Sequence, residues 1–170
     1  EGRDDPVDHL IVLRQRSSLR DCRLKRTLVG GGENGPDALA NMVILKESEE
    51  ASQYFLMFVG DAEITAIAKE KGLVEPKRPL THDLYLAMLD RAGVVFDRIE
   101  IHAMQENTYY ATVYVSIQDK EVAFDSRPSD AVALALHRKC PILINRKLLR
   151  REMTQEEIQE YEMIVRTVKF

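Results

Sequence analysis

Residues 131–136 constrain the fold of this chain more than any other segment, because all six are apolar. The run reads Ala-Val-Ala-Leu-Ala-Leu and follows Pro128, and proline is favoured in the first turn of a helix. A helix that is apolar on every side has no face suited to water. We therefore expect a helix here that the rest of the domain buries completely.

Segments with the periodicity of strands and helices surround this run. Strands are predicted at residues 9–16, 41–47, 53–59, 94–103, 109–117, 121–125 and 141–144. Helices are predicted at residues 61–71 and 81–92, and again after a capping box at residues 154–157. Such runs of strands and helices indicate an α+β domain with mixed or antiparallel sheets and helices packed against them. The expected order is three strands, two helices, three strands, one helix, one strand and one helix.

The same patterns predict which side chains point inward. The apolar run at residues 53–59 should form a central strand, and Val95 should share the buried face of the next strand with Ile99. In the second helix, four residues should point into the core: Leu84, Met88, Leu89 and Ala92.

The length of 170 residues allows one well-packed core and is too short for two ordinary domains with linkers. We assign residues 1–145 to a single domain, whose first 40 residues are atypical, and residues 146–170 to a basic segment and a C-terminal amphipathic helix. This helix favours a homo-oligomer. No apolar run is long enough to cross a membrane, and residues 1–5 lack the pattern of a signal peptide, so we expect a cytoplasmic location.

Several familiar kinds of ligand site are disfavoured by the sequence. Residues 30–36 match the GxGxxG pattern, but neither a Lys-Ser/Thr pair nor a long apolar helix follows, so we interpret them as a loop. Cys22 and Cys140 lack metal-ligand spacing and are interpreted as buried or incidental thiols. The net charge of −4 argues against tight, unspecific nucleic-acid binding through a basic surface.

Function is expected at two Arg-Pro pairs, at residues 78–79 and 127–128, because each opens a predicted helix. A helix start offers unpaired backbone N–H groups and the positive end of the helix dipole, and an arginine beside it completes a site for phosphate. We expect the two junctions to converge in one pocket. The predicted substrate-binding residues are Arg78, Thr81, Arg127 and Ser129. Alternatively, each arginine pairs with a nearby carboxylate, and Thr81 and Ser129 only cap their helices.

The predicted catalytic residues are His82, Asp83, Asp125 and Asp130. An imidazole titrates near neutral pH, so His82 could take up and release the proton in a hydrolysis. The alternatives are that His82 hydrogen-bonds a neighbouring loop and that Asp83 serves only the dipole of its helix. Glu63, Asp125 and Asp130 carry hard oxygen ligands that could together hold Mg²⁺ or Mn²⁺.

Three ordered motifs carry a resemblance to a known family. They are Val-Gly-Asp-Ala-Glu-Ile-Thr-Ala-Ile at 59–67, Arg-Pro-Leu-Thr-His-Asp-Leu at 78–84, and Asp-Ser-Arg-Pro-Ser-Asp-Ala-Val-Ala-Leu-Ala at 125–135. Together they resemble the bifunctional nuclease family over about residues 53–149. The resemblance implies a compact α+β domain and, for some members, nuclease activity on both RNA and DNA. It assigns no role to individual residues.

The leading hypothesis is therefore a nuclease that hydrolyses phosphodiester bonds of RNA or DNA. Arg78 and Arg127 would hold the phosphate, and His82 or a carboxylate would move the proton. Two alternatives belong to other classes of protein. The chain could be a non-catalytic regulatory module that binds an anionic metabolite or nucleic acid at the same junctions, or a structural oligomer whose subunits meet there.

Overall fold

The computed structural model of the protein describes residues 10–13, 22–29, 38–47 and 51–151, with side chains from residue 41 onward. Its three helices are α1 (Asp61–Glu70), α2 (Thr81–Arg91) and α3 (Pro128–Arg138). The strands that precede α1 are β1 (Leu10–Leu13), β2 (Cys22–Val29), β3 (Ala38–Lys46) and β4 (Gln53–Val59). Those that follow α2 are β5 (Val95–Gln105), β6 (Thr108–Ile117), β7 (Lys120–Ser126), β8 (Ile142–Asn145) and β9 (Arg150–Arg151). A 3₁₀ turn at Arg146–Leu148 links the last two strands.

The strands form two sheets. The first has the order β1-β8-β5-β6-β7, in which β8 runs parallel to β5 and all other neighbours are antiparallel. The second has the order β2-β3-β4-β9 and is antiparallel throughout. The α+β class with mixed and antiparallel sheets is thus confirmed, and β4 lies inside its sheet, as its apolar sequence predicts.

Helix α3 is the centre of the packing. All of residues 131–136 are buried, which confirms the prediction made from their apolar run. The helix contacts β5 and β6 of the first sheet as well as α1 and α2. Phe55 on β4 meets Tyr109 on β6 edge to face, with 4.9 Å between ring centroids, so residues of both sheets belong to one core.

Two strands were not predicted. The strand β2 lies in a basic stretch and forms the edge of its sheet, a place where lysine and arginine are common because they discourage pairing with other chains. Since β2 pairs with β3 as a hairpin, the Gly-rich residues 30–36 connect two strands, although they themselves lie outside the described residues. The two-residue strand β9 is too short to leave a periodic pattern. The helix predicted after residue 154 also falls outside the described residues.

The prediction for Val95 was wrong, because β5 is interrupted by irregularities in its pairing with β6. The register shifts between Phe96 and Arg98, and again between Ile101 and Ala103. An extra residue in one strand reverses the faces of the residues beyond it. Val95 is therefore exposed, whereas Ile99 and Ile101 are fully buried as predicted.

The inward face predicted for α2 was wrong at three of its four residues. Leu84, Met88 and Ala92 are exposed, and Leu89 is half-buried. The one buried residue of this helix is Leu86, which was not predicted to point inward. Apolar periodicity identified the helix correctly but not the side on which it packs.

None of the helices in the described part of the chain is long and apolar enough to span a membrane.

We expect Leu86→Ala to lower the free energy of unfolding by about 2 to 5 kcal/mol, because it empties a buried site. Leu84→Ala on the same helix is the matched control, since the side chain of Leu84 is 60% exposed whereas that of Leu86 is 2% exposed. The control should change stability by less than about 0.5 kcal/mol. Urea denaturation measures both variants, and equal losses would show that α2 packs differently.

Candidate functional site

The three helices begin around one pocket of about 490 Å³. Residues from the first turn of α1, of α2 and of α3 line it, together with the end of β7. We call this the helix-start pocket, and its lining residues are Ala62, Glu63, Thr81, His82, Tyr85, Ser126, Arg127, Asp130 and Leu134. The helix starts that follow the two Arg-Pro pairs thus line one pocket together with the start of α1, but Arg78 itself does not line it.

The positive ends of three helix dipoles lie at this pocket. No N-cap side chain accepts a hydrogen bond from the first turn of α1, α2 or α3. At the start of α2, however, Asp83 accepts one from the backbone N–H of the N-cap, Leu80. Each N-terminus carries roughly half a positive charge. An anion bound in this pocket would be attracted by all three helices.

Each of the three helices also carries a carboxylate at its third residue. These are Glu63 in α1, Asp83 in α2 and Asp130 in α3. An acid in the first turn is stabilised by the dipole of its helix. Each carboxylate therefore offsets part of the positive charge at the start of its own helix.

Two of these carboxylates join a hydrogen-bonded chain across the pocket. Asp130 Oδ1 lies 3.1 Å from His82 Nε2, and Asp130 Oδ2 accepts a hydrogen bond of 2.8 Å from Arg127 Nε. Another nitrogen of Arg127 lies 2.9 Å from Glu63 Oε1. The chain His82–Asp130–Arg127–Glu63 thus connects the first turns of α1, α2 and α3.

Arg127 remains open to solvent in spite of its two carboxylate partners. Its side chain is 66% exposed, whereas those of His82, Asp130 and Glu63 are between 18% and 27% exposed. The hydrogen bond and charge of Asp130, followed by the charge of Glu63, raise the pKa of Arg127. The guanidinium is consequently held in place as a cation at the surface of the pocket.

Two features of the chain near Glu63 allow its carboxylate to reach Arg127. Buried Asn41 on β3 donates a hydrogen bond of 2.8 Å to Asp61, which anchors the first residue of α1. Glu63 itself folds back over Gly60, where a Cβ atom would lie 2.5 Å from Glu63 Oε2. Glycine at this position therefore gives the carboxylate room to reach Arg127.

The other predicted site residues lie in different surroundings. Thr81 lines the pocket but is the first residue of α2, so the prediction that it caps the helix was wrong, and Leu80 is the N-cap. Ser129 is likewise inside α3 rather than its cap. Arg78 is exposed and lines neither pocket that contains Arg127. Asp125 is also exposed and lies beside a small apolar pocket next to Tyr85.

Ser129 lines a second pocket, of about 270 Å³, which shares only Glu63 and Arg127 with the first. We call it the Phe58 pocket, after the exposed ring of Phe58 at its wall. The shared ion pair forms the boundary between the two pockets. The sequence did not predict this second pocket, because Phe58 lies in an apolar run that is typical of a buried strand.

Asp83 contacts structural groups rather than the pocket. Its Oδ2 accepts a hydrogen bond of 2.7 Å from the backbone N–H of Leu80, and its Oδ1 forms an ion pair with Lys69. Desolvation opposes the ionisation of Asp83, but the Lys69 ammonium and the Leu80 N–H outweigh it and lower the pKa. The hydrogen bond from Lys69 to Asp83 in turn raises the pKa of Lys69. Asp83 thus ties the start of α2 to the end of α1.

The metal ligands predicted from the sequence are not the ones that the structure brings together. Among the described residues, the one group of three or more with ligand atoms within 4.8 Å of each other is Glu70, Asp83 and His137. The Lys69 ammonium already contacts two of these residues. Glu63 and Asp130 contact Arg127 instead, so in this structure a guanidinium balances their charge.

Comparison with known proteins decides the family. The bifunctional nuclease domain matches residues 43–157, which is more than half of the chain. The chain belongs to the bifunctional nuclease domain family. The match includes all three helix starts and both residues that the two pockets share. The resemblance carried by the three sequence motifs is thereby confirmed.

Individual proteins are also similar to the chain, and two of those compared below carry the name of this family. An uncharacterised protein from Mycobacterium tuberculosis is 36% identical over 107 residues, which make up 63% of each chain. "Bifunctional nuclease 2" of Arabidopsis thaliana is 27% identical over 121 residues, or 69% of this chain and 37% of the relative. "Bifunctional nuclease 1" of Oryza sativa subsp. japonica is 24% identical over 133 residues, which make up 76% of this chain and 36% of the relative. The chain thus spans less than two thirds of each of these relatives.

We expect Asp83→Asn to destabilise the protein by about 1 to 2 kcal/mol at pH 7, because it removes a charged partner of Lys69. A carboxylate with a lowered pKa stabilises the fold above its unfolded pKa, near 4, and loses that effect as pH falls through its folded pKa. The difference from wild type should therefore persist from pH 7 to about pH 5 and shrink below about pH 4. Urea denaturation at several pH values measures it.

Asp125→Asn is the matched control for this experiment. The side chain of Asp125 is exposed and forms no ion pair with any residue that the structure describes. The control should leave stability within about 0.5 kcal/mol of wild type at every pH. A destabilisation by Asp83→Asn that does not change with pH would contradict the charge-based account.

Proposed function

We propose that the protein is a phosphodiesterase that cleaves flexible nucleic acid, RNA or DNA, in the helix-start pocket. The observation that carries the proposal is the chain His82–Asp130–Arg127, which places an imidazole, a carboxylate and an exposed guanidinium beside three helix starts. Membership of the bifunctional nuclease domain family supports it. The names of the plant relatives agree with this reaction.

Binding would begin with the phosphate. The exposed Arg127 supplies donors in a planar fork that fits two phosphate oxygens, and the first-turn N–H groups supply further donors. Hydrolysis places additional negative charge on these oxygens in the transition state. Donors that are already fixed in position stabilise this charge without reorganising, so Arg127 contributes more to the transition state than to the bound substrate.

His82 would move the proton. If Nε2 carries hydrogen and donates it to Asp130, then Nδ1 is left as an acceptor that can take a proton from the attacking water or hydroxyl. The resulting imidazolium is stabilised by Asp130, and it can return the proton to the leaving oxygen. Asp130 therefore acts as a positioning residue for both His82 and Arg127.

The charge of the protein restricts the substrate. With a net charge of −4, the chain is not suited to tight binding along a long basic surface. The phosphate must instead enter a pocket about 490 Å³ in volume. A flexible, single-stranded segment can bring its backbone into such a pocket more readily than a stiff duplex can.

A non-catalytic module that binds an anion in the same pocket is the second candidate. The observation in its favour is that Arg127 is already paired with both Glu63 and Asp130, as it would be in a site whose main task is structural or regulatory. Such a module would be stabilised by a small phosphate ligand without turnover. Cleavage that depends on His82 would exclude it as a full account.

The test is cleavage of short single-stranded RNA and DNA, with and without EDTA. We expect His82→Ala to lower kcat by about 10² to 10⁴, because proton transfer is lost. Arg127→Ala should lower kcat/KM by about 10² to 10³, because a transition-state donor is lost. Thermal unfolding of each variant shows whether the fold is retained.

Two exposed residues provide matched controls. His102→Ala removes an imidazole from β5, and Arg91→Ala removes a guanidinium from the end of α2, and neither residue lines the helix-start pocket. Both controls should keep wild-type activity. If cleavage continues unchanged in His82→Ala and Arg127→Ala, then the activity arises elsewhere or from a contaminant.

A further inference from the structure

We propose that the Phe58 pocket is a nucleobase subsite, which holds the base of a nucleotide whose phosphate lies at Arg127. This inference rests on the proposed function and adds to it the class of group that the second pocket recognises. The pocket and the helix-start pocket share Arg127 and Glu63. A nucleotide that spans this boundary would place its phosphate and its base in different pockets.

The wall of the pocket is aromatic and exposed. Phe58 lies on the interior strand β4, but its ring is 58% exposed because the side chains of this strand alternate between two faces. Met57 and Val59 beside it are better buried and line the same pocket. An exposed phenyl ring next to a phosphate-binding arginine is a platform on which a base can stack.

Tyr109 and Pro128 add to the apolar part of the pocket, which Met57 and Val59 also line. The ring of Tyr109 is held by its edge-to-face contact with Phe55 in the core, so it is fixed in orientation. Pro128 is buried at the first position of α3 and cannot move without the helix. Both side chains are anchored in the folded core, so binding a flat ring against them needs little reorganisation.

The rim carries groups that can recognise the edge of a base. Asn107 sits in the tight turn between β5 and β6 with φ of 59°, a left-handed conformation that asparagine tolerates well. Its amide offers both donors and an acceptor, and the Ser129 hydroxyl offers one of each. These neutral groups match the mixed donors and acceptors of a nucleobase.

The charges of the pocket argue against a second phosphate. Of the residues that line it, only Glu63 and Arg127 are charged, and they pair with each other at 2.9 Å. A second phosphate in this pocket would face the Glu63 carboxylate, and no cation would remain to pair with it because Arg127 holds the first phosphate. A neutral, planar ring meets no such penalty.

The test compares two single-stranded probes of equal length and charge, oligo-dT and an oligomer of abasic sites. Their binding is measured by fluorescence anisotropy in the full chain with His82→Ala, so that turnover does not consume the probe. We expect oligo-dT to bind about 5-fold to 150-fold more tightly than the abasic probe, which is the range for one stacked base. Phe58→Ala should remove this preference and leave the affinity for the abasic probe unchanged.

Further variants separate stacking from a general effect on the fold. Phe58→Trp should keep the preference for oligo-dT, because it restores a stacking surface. Phe124→Ala removes another exposed phenyl ring, 49% exposed and outside both pockets that contain Arg127, and should bind like the parent.

The outcomes distinguish the two proposals. If both probes bind equally, or if Phe58→Ala keeps the preference for oligo-dT, the subsite is refuted while an Arg127-dependent phosphate site stands. If neither probe binds, and Arg127→Ala makes no difference, the proposed function itself fails and the subsite fails with it.

Discussion

The structure depends on three helix N-termini that meet in one place. Three positive dipole ends would repel one another unless negative charge lay among them. Glu63 and Asp130 supply that charge in the helix-start pocket, where Arg127 joins them into one network, whereas Asp83 pairs with Lys69. An anionic substrate can share or replace these contacts, so the same arrangement that stabilises the fold also forms the candidate site.

The helices reach this point by different means. Burial of residues 131–136 holds α3 between the other elements, whereas α2 has one buried side chain and is held mainly by polar contacts. Lys69–Asp83 ties it to α1, His82–Asp130 ties its start to α3, and Arg138 pairs with Asp90 near its end. The geometry of His82 consequently depends on charges as much as on packing.

The features of the fold that depend on local sequence patterns were predicted correctly. The α+β class, the buried α3 and the alternation in β6 follow from apolar periodicity, and the helix starts follow from Pro128 and the acids after it. Features that depend on contacts between distant residues could not be predicted from these patterns. They are the register shifts in β5, the side on which α2 packs, and the contribution of α1 to the site. The homo-oligomer was predicted from the C-terminal amphipathic helix, which lies outside the described residues, so it stays a prediction.

The most direct measurement of the shared helix-start site is a titration with inorganic phosphate, followed by the backbone amide resonances of the folded protein. We expect the amides of residues 61–63, 81–83 and 129–130 to shift together with a single dissociation constant. Arg127→Ala should weaken all of these shifts at once. Shifts that are confined to one helix, or that are spread over surface lysines and arginines without these amides, would contradict it.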